Sequence, residues 1–453
     1  MIAVISKLPM ILHFFAKKQM NNKLHLWFPL LLVLVFQILL FTACKKETDT
    51  QHPVITYISP YELQEFNVLD SILIKANIKD DKVIKSVKIG LVNKDFISVA
   101  PFIFVYPNTA TYTVDIGFPI NDIYLETGEY YAYIKAENGT NYKNQYQLIH
   151  ISGIARELES VVVVSQGNFN TISITEIDQS DNINFLFDIS GDYSGSETNS
   201  RYQQLYVSGK DLINLNTYDL AYQELDWSKE AFPPVPMHND DCLCLDEELY
   251  VSFRTNYIYG YRYDGSQMFN ATVENDKSPS RLAKFNEFLL VDLQSKTGGI
   301  TYLATFYLAT GAEKQRLTTN YKIIDIFEID NDNVLIAGNE AGEGILNIYD
   351  PYTNAETTLL PVPGKIACIE KLPNNKYIIG TDNNILLYDH DQNSLTTVSP
   401  GKVVYRIVFD ETENNIYTVS PKLIEKIKYP QMLFQKSYPL PDSIFNIHLL
   451  YNK

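Results

Sequence analysis

A chain of 453 residues exceeds what one hydrophobic core usually organises, so it must divide into domains or repeat a smaller unit. With 45% apolar and 20% charged residues it is too hydrophobic to be disordered, and its 32 Tyr and 23 Phe favour strands over helices. The net charge of -17 becomes -21 once residues 1–43 are set aside, because these hold four lysines and no acid; a surface of that sign repels phosphate backbones, no basic stripe interrupts it, and nucleic acid is not expected as a partner.

Residues 24–43 form an apolar run that follows Lys23 and closes on Thr42 and Ala43 before Cys44, which is the layout of a signal peptide. Pro29 and Gln37 interrupt a stretch of marginal length for a membrane span. Residues 20–43 make a compact signal by themselves, so Met20 is the expected start. The tetrad Phe41-Thr42-Ala43-Cys44 resembles the lipobox of bacterial lipoproteins, with Phe41 in the place of the usual Leu, and Cys44-Lys-Lys-Glu-Thr-Asp49 is similar to the Lys-plus-acid cluster of surface-exposed lipoproteins in some Gram-negative bacteria. The resemblance implies a lipid on Cys44, a polar tether over residues 44–52, and an exported body held to the outer membrane on its periplasmic or outer face.

Lipidation of Cys44 leaves Cys242, Cys244 and Cys368, an odd number with no disulfide framework, so stability must come from burial. Cys242 and Cys244 share one face of a strand, where small apolar side chains pack; no His or Cys follows at zinc spacing, and no metal or cofactor is expected.

Residues 53–153 carry seven strand-like runs: 54–58, 71–78, 83–92, 96–105, 110–118, 129–136 and 145–151. Alternation such as Tyr131-Ala-Tyr133-Ile-Lys135 predicts sheets packed on one face and wet on the other, and about 100 residues with seven short strands is the size of a sandwich. Ala76-Asn-Ile-Lys-Asp80 and Gly128-Glu-Tyr-Tyr-Ala-Tyr-Ile-Lys-Ala136 resemble strands of bacterial immunoglobulin-like or fibronectin-like modules, which implies a spacer role.

Residues 156–453 repeat internally. Asp332-Asn-Val-Leu-Ile-Ala-Gly338 superposes on Asn374-Asn-Lys-Tyr-Ile-Ile-Gly380 at an offset of 42, and Tyr349-Asp350 with Asn354 matches Tyr388-Asp389 with Asn393 at an offset of 39. Tyr263-Asp264-Gly265 and Tyr307-Leu-Ala-Thr-Gly311 are weaker copies of the same turn. Each unit holds four strand runs and cannot bury both faces alone, so units must stack side by side; at about 40–45 residues each, roughly seven fit. The last run, 443–450, has no following strands, while the first unit, 161–189, lacks an innermost strand, so pairing the two closes a ring and removes exposed edges. The repeat resembles the WD-repeat-like and quinoprotein-like propellers, without the Trp-Asp or Gly-Gly pairs that mark subfamilies. The expected architecture is therefore all-β, an N-terminal immunoglobulin-like β-sandwich followed by a seven-bladed β-propeller.

Nucleophile elbows, zincin helices, phosphate loops and dinucleotide fingerprints are missing, so no catalytic residue is assigned. The histidines His52, His150, His238, His390 and His448 read as surface or strand-end residues. Related quinoproteins use adjacent cysteines and repeated Trp motifs; here Leu243 separates the cysteines and Trp227 is the single Trp after residue 43. Residues 226–240, with Trp227, Phe232, three prolines and His238, form a long loop expected to share a face with Arg254, Tyr257, Glu340 and Asp382, making these the candidate ligand-binding residues. The alternative is that Trp227 and Phe232 plug a blade edge. The expected function is a non-catalytic binding or scaffold lipoprotein that presents a propeller face to a protein or glycan. An enzyme with a pocket at the ring centre, or an accessory of outer-membrane assembly, are the alternatives. Mutually close acids, His or Arg with shifted pKa values at the centre would mark the enzyme; exposed aromatics on a shallow face would mark binding.

Overall fold

The computed structural model describes residues 51–168, 170–209, 215–229, 239–245, 248–253 and 255–453, with backbone alone for residues 239–241, 244 and 245. The expected lipidation site Cys44 lies outside these residues, as do Phe232, His238 and Arg254. The described residues contain strands and turns and no helix. Two compact units divide the chain, one ending at Ile154 and the other spanning Ala155–Lys453.

The first unit has eight strands: β1 (Val54–Ser59), β2 (Gln64–Asn67), β3 (Ser71–Ile84), β4 (Ser86–Val92), β5 (Ile103–Val105), β6 (Thr109–Pro119), β7 (Gly128–Glu137) and β8 (Tyr142–Ser152). One sheet runs β1-β3-β6 and the other β2-β8-β7-β4-β5. Alternation decides the core. Ile72, Ile74, Ala76 and Ile78 of β3 meet Val87 and Ile89 of β4 and Ala132, Ile134 and Ala136 of β7 between the two sheets, while the residues between them face outward.

Two local expectations are corrected. Val83 and Ile84 end β3 instead of starting the next strand, and most of 96–105 is a loop. That loop folds back on the outer face of β4 and β7: Phe96 stacks on Tyr131 at 5.6 Å, and Phe102 lies so close over Gly90 that an added Cβ there would meet its ring at 2.4 Å. An aromatic-rich loop packed on a sheet has the composition of a strand, and composition misreads it. The short β2, which pairs in parallel with β8, carries too few residues to show a period.

The second unit consists of seven four-stranded antiparallel sheets among the described residues. In chain order these blades cover residues 158–190, 195–229, 239–272, 277–319, 322–362, 366–400 and 406–439; the first is completed by Ile444–Tyr451, which pairs with Leu158–Gln166 as its innermost strand. The innermost strands of blades one to seven are Ile444–Tyr451, Gly195–Asn199, Asn239–Leu245, Lys277–Phe285, Lys322–Glu328, Ile366–Leu372 and Arg406–Asp410, and each neighbours the next in a closed cycle. Residues 161–164, 205–207, 289–291, 335–337 and 377–379 of the second strands are apolar without alternation and buried on both faces, because a neighbouring blade covers each side. Cys242 is buried in the packing between blades two and three.

The repeated Tyr-Asp-x-x-x-Asn signature closes the hairpin between third and fourth strands. Asn354 and Asn393 adopt φ of 61° and 44°, a left-handed conformation that Asn tolerates better than most residues. Their side-chain oxygens accept from the buried hydroxyls of Tyr349 at 3.0 Å and Tyr388 at 3.1 Å, so the first residue of the signature locks the last.

Candidate functional site

The innermost strands carry ionisable residues within their length or at their ends, among them Glu197 in blade two, Asp325 in blade five, Glu370 in blade six, Arg406 in blade seven and His448 in blade one. Glu197, Glu370, Arg406 and His448 line a cavity of ≈ 610 Å³ on the ring axis, with Arg156, Phe409, Glu411 and Tyr451 toward its mouth. It opens where the innermost strands end.

A hydrogen-bonded chain fixes one wall. The Glu197 carboxylate lies 3.2 Å from His448 Nδ1 and accepts from the Thr198 N–H at 2.9 Å. His448 Nε2 is 2.7 Å from Ser196 Oγ, which is 2.9 Å from the hydroxyl of Tyr193, itself stacked on Phe445 at 4.7 Å. A carboxylate is acceptor-only, so its contact with His448 places a proton on Nδ1. Ser196 follows the order of a nucleophile, base and acid, yet it is 5% exposed and does not line the cavity; the chain orients the imidazole.

The two axial carboxyls are driven apart. Burial raises the pKa of Glu197, but the His448 charge and hydrogen bond, the Thr198 N–H and Arg406 outweigh it and hold Glu197 below the usual range. Burial pushes Glu370 up to about 8; Arg406 opposes this, and the negative charges of Asp325 and Glu197 reinforce it. At neutral pH the cavity therefore presents an ionised Glu197, a protonated Glu370 and the guanidinium of Arg406. Arg406 Nε is buried with no hydrogen-bond partner among the described residues, and neither Arg406 nor Glu370 has an ion-pair partner among them. Beneath this wall the Cys368 thiol, buried in the seam between blades six and seven, is pushed up to about 12 by burial.

Of the residues proposed from sequence, Trp227, Tyr257, Glu340 and Asp382 are described, and none of these four lines the cavity. Trp227 sits in the seam between blades two and three: its ring is 5.9 Å from both Tyr206 and Tyr261, its indole N–H donates to the Tyr263 carbonyl at 2.8 Å, and a Cβ at Gly265 would meet it at 2.9 Å. Gly265, at φ +74°, supplies both the turn and the space. Tyr257 stacks on Tyr259 at 5.6 Å. Glu340 accepts from the Asn320 amide, and Asp382 accepts from the Lys365 N–H at 3.2 Å, so both tie a loop to the segment just ahead of an innermost strand. Glu340 and Asp382 thus stand at the opening ends of the innermost strands, opposite the cavity mouth. His448 is 4% exposed in mid-strand, which corrects its reading as a surface or strand-end residue.

Seven four-stranded sheets in a closed ring define a β-propeller. Among solved structures, the chain is similar to a protein from Lactobacillus plantarum, with 13% identity and a TM-score of 0.52 over 65% of this chain and 100% of that one; the likeness is one of fold. Dihydro-heme d1 dehydrogenase NirN in complex with DHE matches at 12% identity and TM-score 0.46, over 65% of this chain and 75% of that one. The computationally designed Ika8 protein matches at 12% identity and TM-score 0.45, over 65% and 90%. No protein-family model and no curated protein sequence matches the chain.

Proposed function

We propose that this is an exported, lipid-anchored, non-catalytic binding protein, in which Cys44 holds the chain to the outer membrane and the N-terminal unit is an immunoglobulin-like spacer. The axial cavity of the propeller takes the ligand, borne by a protein or glycan partner. One observation supports this above all: Arg406, whose buried Nε–H has no partner among the described residues, lines a cavity sized for a small ligand together with Glu370, whose carboxyl has no ion-pair partner among them. Folded proteins rarely leave a charged donor group unmatched, and a guanidinium on a cavity wall with no partner among the described residues suits an acceptor that arrives from outside.

The test is capture of partners from intact cells by the wild-type chain and by Arg406→Gln. Loss of a captured species with Arg406→Gln, and its retention with Trp227→Ala, is the expected outcome. A partner set unchanged by Arg406→Gln would overturn the axial site. A catalytic reading is favoured by the divergence of Glu197 and Glu370, because an ionised and a protonated carboxyl in one cavity form a base and acid pair. Turnover of the captured ligand that Glu197→Gln and Glu370→Gln each abolish would replace binding by catalysis.

A further inference from the structure

Resting on the axial-site reading above, we infer that the cavity holds its ligand by a single carboxylate, anchored by Arg406 with Glu370 on the same wall. The guanidinium is planar and presents parallel N–H donors whose spacing matches the two oxygens of a carboxylate. Arg406 lines the cavity and makes no hydrogen bond or ion pair among the described residues, its Nε being buried, so its guanidinium is left to an acceptor from outside. Glu370, held in its neutral form, has an O–H to give, and an acid O–H donates to an anion where an ionised carboxylate would repel it.

The surrounding charges select the valence of the anion. Glu370 is faced by Arg406 from blade seven, Asp325 from blade five and Glu197 from blade two, and its neighbour Lys371, His448 of blade one, Arg156 and Glu411 line the same cavity. His448 is engaged by Glu197 and Ser196, Arg156 by Glu411, and Lys371 donates to the Glu328 carbonyl, so Arg406 is the cation on the wall without a hydrogen bond or ion pair among the described residues. A single negative charge is what it can balance. A dianion such as phosphate brings a second charge against Glu197 and Asp325, and a cation meets Arg406 directly. A neutral sugar leaves the guanidinium unpaired. The carboxylate can come from a uronic acid or from an amino acid, two sources with one recognition chemistry.

The pH dependence follows from Glu370. Below its pKa of about 8 the carboxyl donates; above it the ionised group repels the bound anion, so affinity falls as pH rises through that value. Titration calorimetry on the mature chain should use glucuronate and N-acetylalanine as probes, glucose and N-acetylalanine amide as neutral controls, and inorganic phosphate. At least one carboxylate should bind and its neutral counterpart should not, with the binding partner naming the source. Arg406→Gln should weaken binding by about tenfold or more, and Arg406→Lys, which keeps the charge and loses the fork, by less. Glu370→Gln should keep the affinity at neutral pH and flatten its fall above it. Unchanged melting temperatures certify the variants as folded. Phosphate binding more tightly than either acid, or a neutral control binding as well as its acid, sinks the carboxylate inference and leaves the axial site standing if Arg406→Gln still weakens that binding. Failure of both acids at millimolar concentration also sinks it. Binding of any probe that no axial substitution alters sinks the site itself.

Discussion

Deleting the residues after Pro441 should destroy the propeller as a cooperative unit. The strand Ile444–Tyr451 supplies the innermost position of the first blade and pairs with Leu158–Gln166. Ile444, Ile447, Leu450 and Tyr451 are all at most 6% exposed, and at about 1.5–3 kcal/mol for each buried side chain they contribute roughly 6–12 kcal/mol. That is comparable to the whole stability of an ordinary domain, about 5–15 kcal/mol. The deletion also frees an inner edge on the first blade and breaks contacts to the second and seventh. The milder Ile447→Ala, at a fully buried position, should cost about 2–5 kcal/mol and lower the urea midpoint while leaving one transition. Urea denaturation followed by circular dichroism, with calorimetry on the same samples, reads both. A truncated chain that keeps the full-length transition would refute closure by this strand, and an Ile447→Ala variant with an unchanged midpoint would refute the packing estimate.

Glu370 should make stability pH-dependent, because its folded pKa of about 8 lies above the ordinary 4.5: the contribution is full below about pH 4.5 and is lost as pH rises toward 8. The stability of Glu370→Gln relative to wild type should therefore rise by about 3–5 kcal/mol between about pH 5 and pH 8, and parallel curves in denaturant titrations would count against it. Asn393→Ala should cost about 1–2 kcal/mol, since it places Ala in a left-handed turn and strips Tyr388 of an acceptor, whereas Asn393→Gly should lose less by relieving the backbone. Equal losses in a melting comparison would show that the backbone conformation is not the cause. Trp227→Ala should cost about 2–3 kcal/mol through the blade seam and leave ligand titrations unchanged; altered affinity at full stability would return Trp227 to the binding surface.

What the sequence makes legible is what the backbone needs. The turn signature of Tyr349, Asp350 and Asn354 repeats because each hairpin must place one residue at positive φ and satisfy a buried tyrosine hydroxyl, and both demands act within six residues. The buried second strands repeat for the same reason, since every blade is covered on both faces by a like neighbour. The unpartnered run at the C-terminus and the incomplete first unit are two halves of one sheet, visible because strand pairing leaves no edge idle in a ring. Local loops obey weaker rules, and so Phe96 and Phe102 read as strand residues when they cover one.

The axial residues escape the same reasoning because their meaning is set by a ring and not by a segment. Glu197 and His448 touch across 251 positions of sequence, and Glu370 and Arg406 come from two further blades, so no spacing rule unites them. For Trp227 the structure shows the geometry of the blade-edge alternative: its indole completes a seam whose other side, Tyr263 to Gly265, becomes visible once the blades are aligned. A usable signal did exist. In Ile324-Asp325-Ile326, Ile369-Glu370 and Ile447-His448-Leu449 a titratable residue interrupts an apolar innermost strand, where burial penalises charge unless the centre of the ring gives it a use. An isolated ionisable residue inside an apolar innermost strand is therefore the feature of the sequence that leads to the axial cavity.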